Sequence, residues 1–131
     1  MDQEGFEDWW SQGKLKKESG YSTDLINQHA INFIEKNKNE SFLLYIAHEA
    51  PHYPIQGRAS PADREIGSNK FIAHGSDKNK PKIYKEMVEV MDDGIGKIIK
   101  TITELNLDKK PIVFFFSDNG VTKLGNNGKL R

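Results

Sequence analysis

Two short clusters hold the residues best able to do chemistry: His48-Glu49-Ala50-Pro51-His52-Tyr53-Pro54, and Ser117-Asp118-Asn119-Gly120. Asp118 and Asn119 place a carboxylate beside an amide carbonyl. Both are hard oxygen donors, suited to calcium or magnesium rather than to copper or zinc. Gly120 would let the backbone turn tightly around a bound ion or anion. Asp-Asn-Gly is also an ordinary turn sequence, so a plain turn remains the competing reading. His52 is a candidate general acid or donor to an anionic group, because an imidazole titrates near pH 6.5. A lone loop histidine is just as ordinary at a surface. His48 and Glu49 either support such a site or are solvated loop residues.

The remaining polar residues point to chemistry less directly. Lys123, Lys129 and Arg131 lie downstream of Asp118, within reach of an anionic substrate or simply in solvent. His29 falls inside a helical pattern and His74 in a polar loop; both read as structural. Asp92 and Asp93 fall inside a long helical pattern and also read as structural. Ala59-Ser60-Pro61-Ala62-Asp63-Arg64 contains Ser, Pro and Arg, but not at a spacing that makes a nucleophile signature.

The clusters need elements to hold them. Residues 1–21 read as an irregular lead-in, with Phe6, Trp9 and Trp10 plugging a crevice on a neighbouring layer. Ser22 or Thr23 is the expected N-cap of a helix running to about Lys38, with Asp24 in its first turn. Leu25, Ile26, Ala30, Phe33 and Ile34 recur there at helical spacing. Phe42-Leu43-Leu44-Tyr45-Ile46-Ala47 is a continuous apolar run that suits a strand buried on both faces. Residues 48–80 read as a long loop, of a length usually either functional or disordered.

Pro81 suits the first position of a second helix. Its stripe is Ile83, Met87, Val90, Met91, Ile95, Ile98, Ile99, Ile102 and Leu105. Gly94 and Gly96 suggest close packing against another element. A second apolar run, Ile112-Val113-Phe114-Phe115-Phe116, precedes a Gly/Asn-rich tail. Helix, strand, loop, helix, strand, loop is an α/β order, and two apolar strands around a helix suggest a βαβ-type unit. Both chemical clusters follow a strand, and α/β sheets bind ligands beyond the carboxyl ends of their strands. A joint site is therefore expected. Two strands do not make a stable sheet of that kind, so the unit reads as incomplete.

Bulk composition narrows the partners. The 131 residues carry 19 basic and 19 acidic side chains, so the formal net charge is zero. That balance offers no electrostatic reason to bind nucleic acid or an anionic membrane. No apolar run approaches the ~20 residues of a membrane-spanning helix. Met1-Asp2-Gln3-Glu4-Gly5 shows no signal-peptide pattern. The sequence contains no cysteine, which excludes disulfides, thiolate zinc sites and a cysteine nucleophile within it.

Four segments, in order, are similar to the type I sulfatases of the alkaline-phosphatase-like superfamily. They are Gly20-Tyr21-Ser22-Thr23-Asp24; Phe42–Ala47 followed by Ala50-Pro51-His52-Tyr53-Pro54; Met91-Asp92-Asp93-Gly94-Ile95-Gly96; and Phe115-Phe116-Ser117-Asp118-Asn119-Gly120 followed by Gly125-Asn126-Asn127-Gly128. The resemblance runs over roughly residues 20–131 and implies a central fragment of one catalytic domain, with 1–21 as lead-in and 22–131 as the sulfatase-like part. The implied fold is part of an α/β sandwich, sheet strands flanked by helices. The implied activity is hydrolysis of sulfate esters, sulfated carbohydrates among them, by an arylsulfatase-like enzyme. Asp118 and Asn119 then correspond to the later pair of ligands to Ca2+, or Mg2+, and His52 to the sulfate-contacting histidine.

The departures shape what is expected of these residues alone. The family nucleophile is a formylglycine made from a C/S-x-P-x-R segment, and no such segment occurs here. The family's early aspartate pair, its Lys-x-His segment and its Gly-Gly-Lys lysine do not occur either. Lys129 stands where relatives often have proline, so the resemblance does not give it that lysine's role. No turnover is expected from the 131 residues by themselves, and metal binding should be weak. A phosphodiesterase or phosphonate hydrolase of the same superfamily, or a non-catalytic remnant acting as a binding module, are the alternatives. Exposed strand edges would favour self-association. Family habit points to the periplasm, the lysosome or secretion, while nothing in this segment fixes a compartment.

Overall fold

Thr23, Asn27, Ala30 and Ile34 recur at helical spacing, and they are the buried residues of α1, Ser22–Asn37. The computed structural model describes residues 8–60, 79–107, 111–121, 123–126 and 128–129. The expected first helix is present, with Asp24 in its first turn. Its N-cap position is occupied by Tyr21 in extended conformation, without a side-chain cap bond, rather than by Ser22 or Thr23. Thr23 is instead drawn into the core, only 2% exposed.

The second helix, α2, spans Lys80–Glu104 and places Pro81 in its first turn, where a missing N–H costs nothing. It buries Met87, Val90, Gly94 and Ile98 and packs against α1. Its C-terminus is a Schellman stop. Asn106 takes a positive φ of 56°, its N–H bonds Thr103 O at 2.9 Å, and Leu107 N–H bonds Ile102 O at 2.9 Å. Leu107 then closes the core with Ala30, Ile34 and Ile98, and Ile102 packs against that cluster.

Gly94 behaves as expected and Gly96 does not. A Cβ on Gly94 would overlap the Asn27 amide of α1, so the helices approach there because no side chain intervenes. A Cβ on Gly96 would meet nothing within 4 Å.

The lead-in is more ordered than expected. Trp10–Ser11 (β1) and Lys14–Leu15 (β2) form an antiparallel hairpin with Trp10 opposite Leu15. Gln12 and Gly13 supply the two positive φ values, 52° and 73°, that a tight two-residue hairpin turn requires. Trp9 fulfils the expected anchoring role: its indole donates to Glu18 at 2.9 Å and its ring lies 6.1 Å from that of His29 on α1. Trp10 stays exposed, and Phe6 lies outside the described residues.

The two apolar runs are extended but pair with no strand among the described residues. In the first, Phe42, Leu44 and Ile46 pack on the helix pair, whereas Leu43 and Tyr45 are 91% and 78% exposed. This strict alternation is the period of a strand with one covered face. In the second run, the five side chains from Ile112 to Phe116 are between 57% and 81% exposed. The expectation of burial on both faces is thus not met within this chain. A ladder needs partner strands, and neither run has one among the described residues. Among the described residues the architecture is two packed helices, a two-stranded hairpin and two extended apolar runs.

Candidate functional site

The loop after the first run is built by packing on both helices. Ala50 is buried, and His52 N–H closes a turn onto Glu49 O at 2.8 Å. The peptide bonds preceding Pro51 and Pro54 are cis. Further along, the Tyr21 hydroxyl donates to Gln56 O at 2.8 Å. Arg58 grips Asp24 of α1 with two bonds, 2.7 Å from Nε and 2.6 Å from Nη2. Its backbone N–H reaches Glu86 of α2 at 3.1 Å. The Arg58 guanidinium holds the Asp24 carboxyl below its usual range.

This strap leaves the His52 imidazole exposed on the rim of a cavity of about 290 Å3. Pro51, His52, Tyr53 and Ile55 form one side, Lys80 of α2 another, and Leu124 of the tail a third. His52 Nδ1 lies 2.7 Å from the Tyr53 carbonyl oxygen. A carbonyl only accepts, so Nδ1 carries a hydrogen, and Nε2 is the ring nitrogen left to exchange a proton with a ligand. As imidazolium the ring can give a proton from Nε2; as neutral imidazole it can only accept one there.

The two clusters expected to share one site do not border the same cavity among the described residues. The tail does meet the His52 loop, through Leu124 rather than through Asp118 or Asn119. Asp118, Asn119 and Gly120 are exposed, with Ser117 Oγ donating to Asn119 O at 2.7 Å. Among the described residues, no group of three or more His, Asp or Glu side chains is placed to hold a metal. Calcium takes six to eight oxygen ligands. Asp118 and Asn119 supply a hard-donor pair of the right chemistry but not a complete metal site.

The other sequence candidates fall elsewhere. His29 is structural as expected: its Nε2 lies 2.9 Å from Glu18. Hydrogen bonds from His29 first, then from the Trp9 indole, hold the Glu18 carboxyl down at about 2. Asp92 and Asp93 are exposed on α2, and Lys123 and Lys129 are exposed in the tail. His74, Arg131 and residues 61–64 lie outside the described residues. His48 is a support rather than a bystander. Its Nε2 lies 2.8 Å from Asn27 Oδ1, and burial pushes its pKa below the ordinary imidazole value. Sequence reasoning missed Asn27. It carried a readable signal, a polar residue on the buried stripe with Thr23, Ala30 and Ile34.

Comparison with known proteins decides the lineage. The family model described as "Sulfatase" matches residues 1–131. The chain belongs to the sulfatase family. The match takes in the lead-in as well as the motif-bearing part. This sulfatase chain is 32% identical over 96 residues to arylsulfatase H of Canis lupus familiaris, covering 73% of the chain and 15% of that protein. It is 30% identical over 114 residues to N-acetylgalactosamine-6-sulfatase of Mus musculus, covering 81% of the chain and 19% of that protein. It is 41% identical over 61 residues to N-acetylglucosamine-6-O-sulfatase of Bacteroides thetaiotaomicron, covering 46% of the chain and 10% of that protein. The sulfatase chain therefore spans a fifth or less of the length of these curated relatives. No solved structure gives a significant match. Among the described residues, no helix is long and apolar enough to cross a membrane.

Proposed function

We propose that this chain is part of a sulfuric ester hydrolase in which His52 hands a proton to the departing oxygen of a sulfate ester. The observation that carries the reading is the His52 Nδ1 contact with the Tyr53 carbonyl at 2.7 Å, on a cavity that the tail also borders. That contact orients the ring and commits Nε2 to the ligand. When the ester S–O bond breaks, negative charge builds on the leaving oxygen, and a proton from Nε2 neutralises it. The imidazolium then returns to neutral imidazole.

The nucleophile belongs to the whole enzyme and not to these 131 residues, which contain no C/S-x-P-x-R segment. Asp118 and Asn119 would contribute two oxygen ligands to a calcium or magnesium ion completed by residues outside this chain. Such an ion supplies charge neutralisation of the transferring group when bound. Phe42–Ala47 and Ile112–Phe116 would enter the central sheet of an alkaline-phosphatase-like α/β domain, which accounts for their bare apolar faces. Sulfated carbohydrate is the substrate class we favour, since two of the relatives above are named for sulfated amino sugars. The relatives named above are all sulfatases, which favours this reading over a phosphodiesterase.

The coding DNA on either side of these residues provides the test. An in-frame C/S-x-P-x-R upstream and Gly-Gly-Lys downstream are expected, together with no hydrolysis of 4-nitrophenyl sulfate by the 131 residues alone. Stop codons bounding the frame with neither motif nearby would overturn the enzymatic reading in favour of a binding remnant.

A further inference from the structure

We propose that Asn119 is a site of spontaneous modification, losing its side-chain amide to the backbone nitrogen of Gly120 with the help of the Ser117 hydroxyl. Ser117, Asp118, Asn119 and Gly120 are all exposed, in a stretch that forms neither helix nor strand. The Gly120 N–H makes no hydrogen bond among the described residues. That nitrogen is available to attack, and water reaches the amide it would displace. Glycine permits the approach, because a Cβ at position 120 would crowd the nitrogen. Carbonyl and nitrogen belong to neighbouring residues, so the ring closure is intramolecular and needs no second molecule to be assembled.

The Ser117 contact sets this pair apart from an ordinary Asn-Gly turn. Ser117 Oγ donates to Asn119 O at 2.7 Å, and that oxygen belongs to the same peptide group as the Gly120 nitrogen. As hydroxide takes the Gly120 amide proton, negative charge spreads onto Asn119 O, where the hydroxyl already donates. The nitrogen then bonds to Asn119 Cγ, the Cγ–Nδ2 bond breaks, and ammonia leaves with a proton from water. A succinimide ring results. Water opens it at either carbonyl, giving aspartate or isoaspartate at position 119, with nothing oxidised or reduced. Either product puts a second carboxylate beside Asp118, and isoaspartate also reroutes the main chain through the side-chain carbon. Any effect on a bound cation rests on the metal pair proposed above; the reaction itself does not.

The full 131-residue chain is incubated at neutral pH in water enriched in heavy oxygen, and its tryptic peptides are followed by mass spectrometry. Cleavage at Lys123 puts Asn119 and Asn127 on separate peptides, so the second Asn-Gly pair is an internal control. Asn119 should become acid carrying solvent oxygen, as a mixture of aspartate and isoaspartate. Ser117→Ala should slow this about two- to fivefold, the size of one exposed hydrogen bond, while Asn127 keeps its rate. Ser117→Thr should restore most of the parent rate, and Gly120→Val should suppress the reaction. In guanidinium chloride, where the contact is lost, the parent and Ser117→Ala should react alike. Circular dichroism of each variant checks that the helices are retained. Equal Asn119 rates in the folded parent and Ser117→Ala would overturn the role of Ser117, as would a difference that persists in guanidinium chloride. Asn119 intact after Asn127 has reacted would overturn the site. Aspartate without isoaspartate would show direct hydrolysis and overturn the cyclic route.

Discussion

The side-chain amide of Asn27 occupies the space in which a side chain at Gly94 would begin. One end of that amide meets His48 Nε2 at 2.8 Å, while Nδ2 is buried with no hydrogen-bond partner among the described residues. Turning the amide over would only exchange which end faces Gly94. The contact therefore joins α1, α2 and the start of the His52 loop through a single polar side chain.

Gly94→Ala should destabilise the chain even though alanine is the better helix former. Propensity favours the substitution by about 1 kcal/mol, but overpacking of a tight contact costs about 1–3 kcal/mol or more. A net loss of up to about 2 kcal/mol is expected from urea unfolding midpoints. Gly96→Ala is the matched control. A Cβ there meets nothing within 4 Å, so it should stabilise by up to about 1 kcal/mol. Equal effects of the two substitutions would contradict the packing described here.

Acidification should weaken the fold in two separate windows. Burial lowers the folded-state pKa of His48, so the unfolded chain binds the proton more readily. Its contribution is fully present above the ordinary imidazole value of about 6.5 and is lost as pH falls from there through the lowered folded value. Glu18 acts at lower pH, its contribution disappearing between the ordinary carboxyl value of 4.5 and about 2. Unfolding midpoints measured from pH 8 to 3 should fall in both windows, and His48→Gln should flatten only the upper one. An unchanged slope between pH 7 and 5 in that variant would remove His48 from the explanation.

Self-association should run through Ile112–Phe116. Its five consecutive apolar side chains carry no charge and are between 57% and 81% exposed, and no strand pairs with them among the described residues, the composition and exposure of an aggregating edge. Sedimentation should show species larger than a monomer, and Phe114→Lys should shift the population toward monomer. A parent chain that stays monomeric and melts in one sharp cooperative step would refute this.

Calcium should bind the isolated chain weakly. Two adjacent oxygen ligands are a fraction of the usual six to eight, and no third acid or histidine joins them among the described residues. With a dissociation constant weaker than about 10 mM, 1 mM calcium would stabilise by less than about 0.1 kcal/mol. The melting midpoint should therefore not move, and Asp118→Asn should match the parent. A calcium-dependent rise of several degrees would show that the chain completes a metal site by itself.

The extents of α1 and α2, the Pro81 start and the stop near Asn106 were legible in the sequence. Helices are set by neighbours three and four residues away, and those neighbours are printed in order along the chain. The four family segments were legible for a similar reason, each being short and contiguous. The hairpin at Gln12–Gly13 was missed, because its strands are two residues long and show no period. Whether Phe42–Ala47 and Ile112–Phe116 pair could not be read locally, since a ladder depends on partners distant in sequence. Tertiary structure alone decided that Asn27 meets His48 and Gly94, and that His52, Lys80 and Leu124 border one cavity. Those residues lie up to 72 positions apart, from His52 to Leu124, and only the packing of the loop and tail around α2 brings them together.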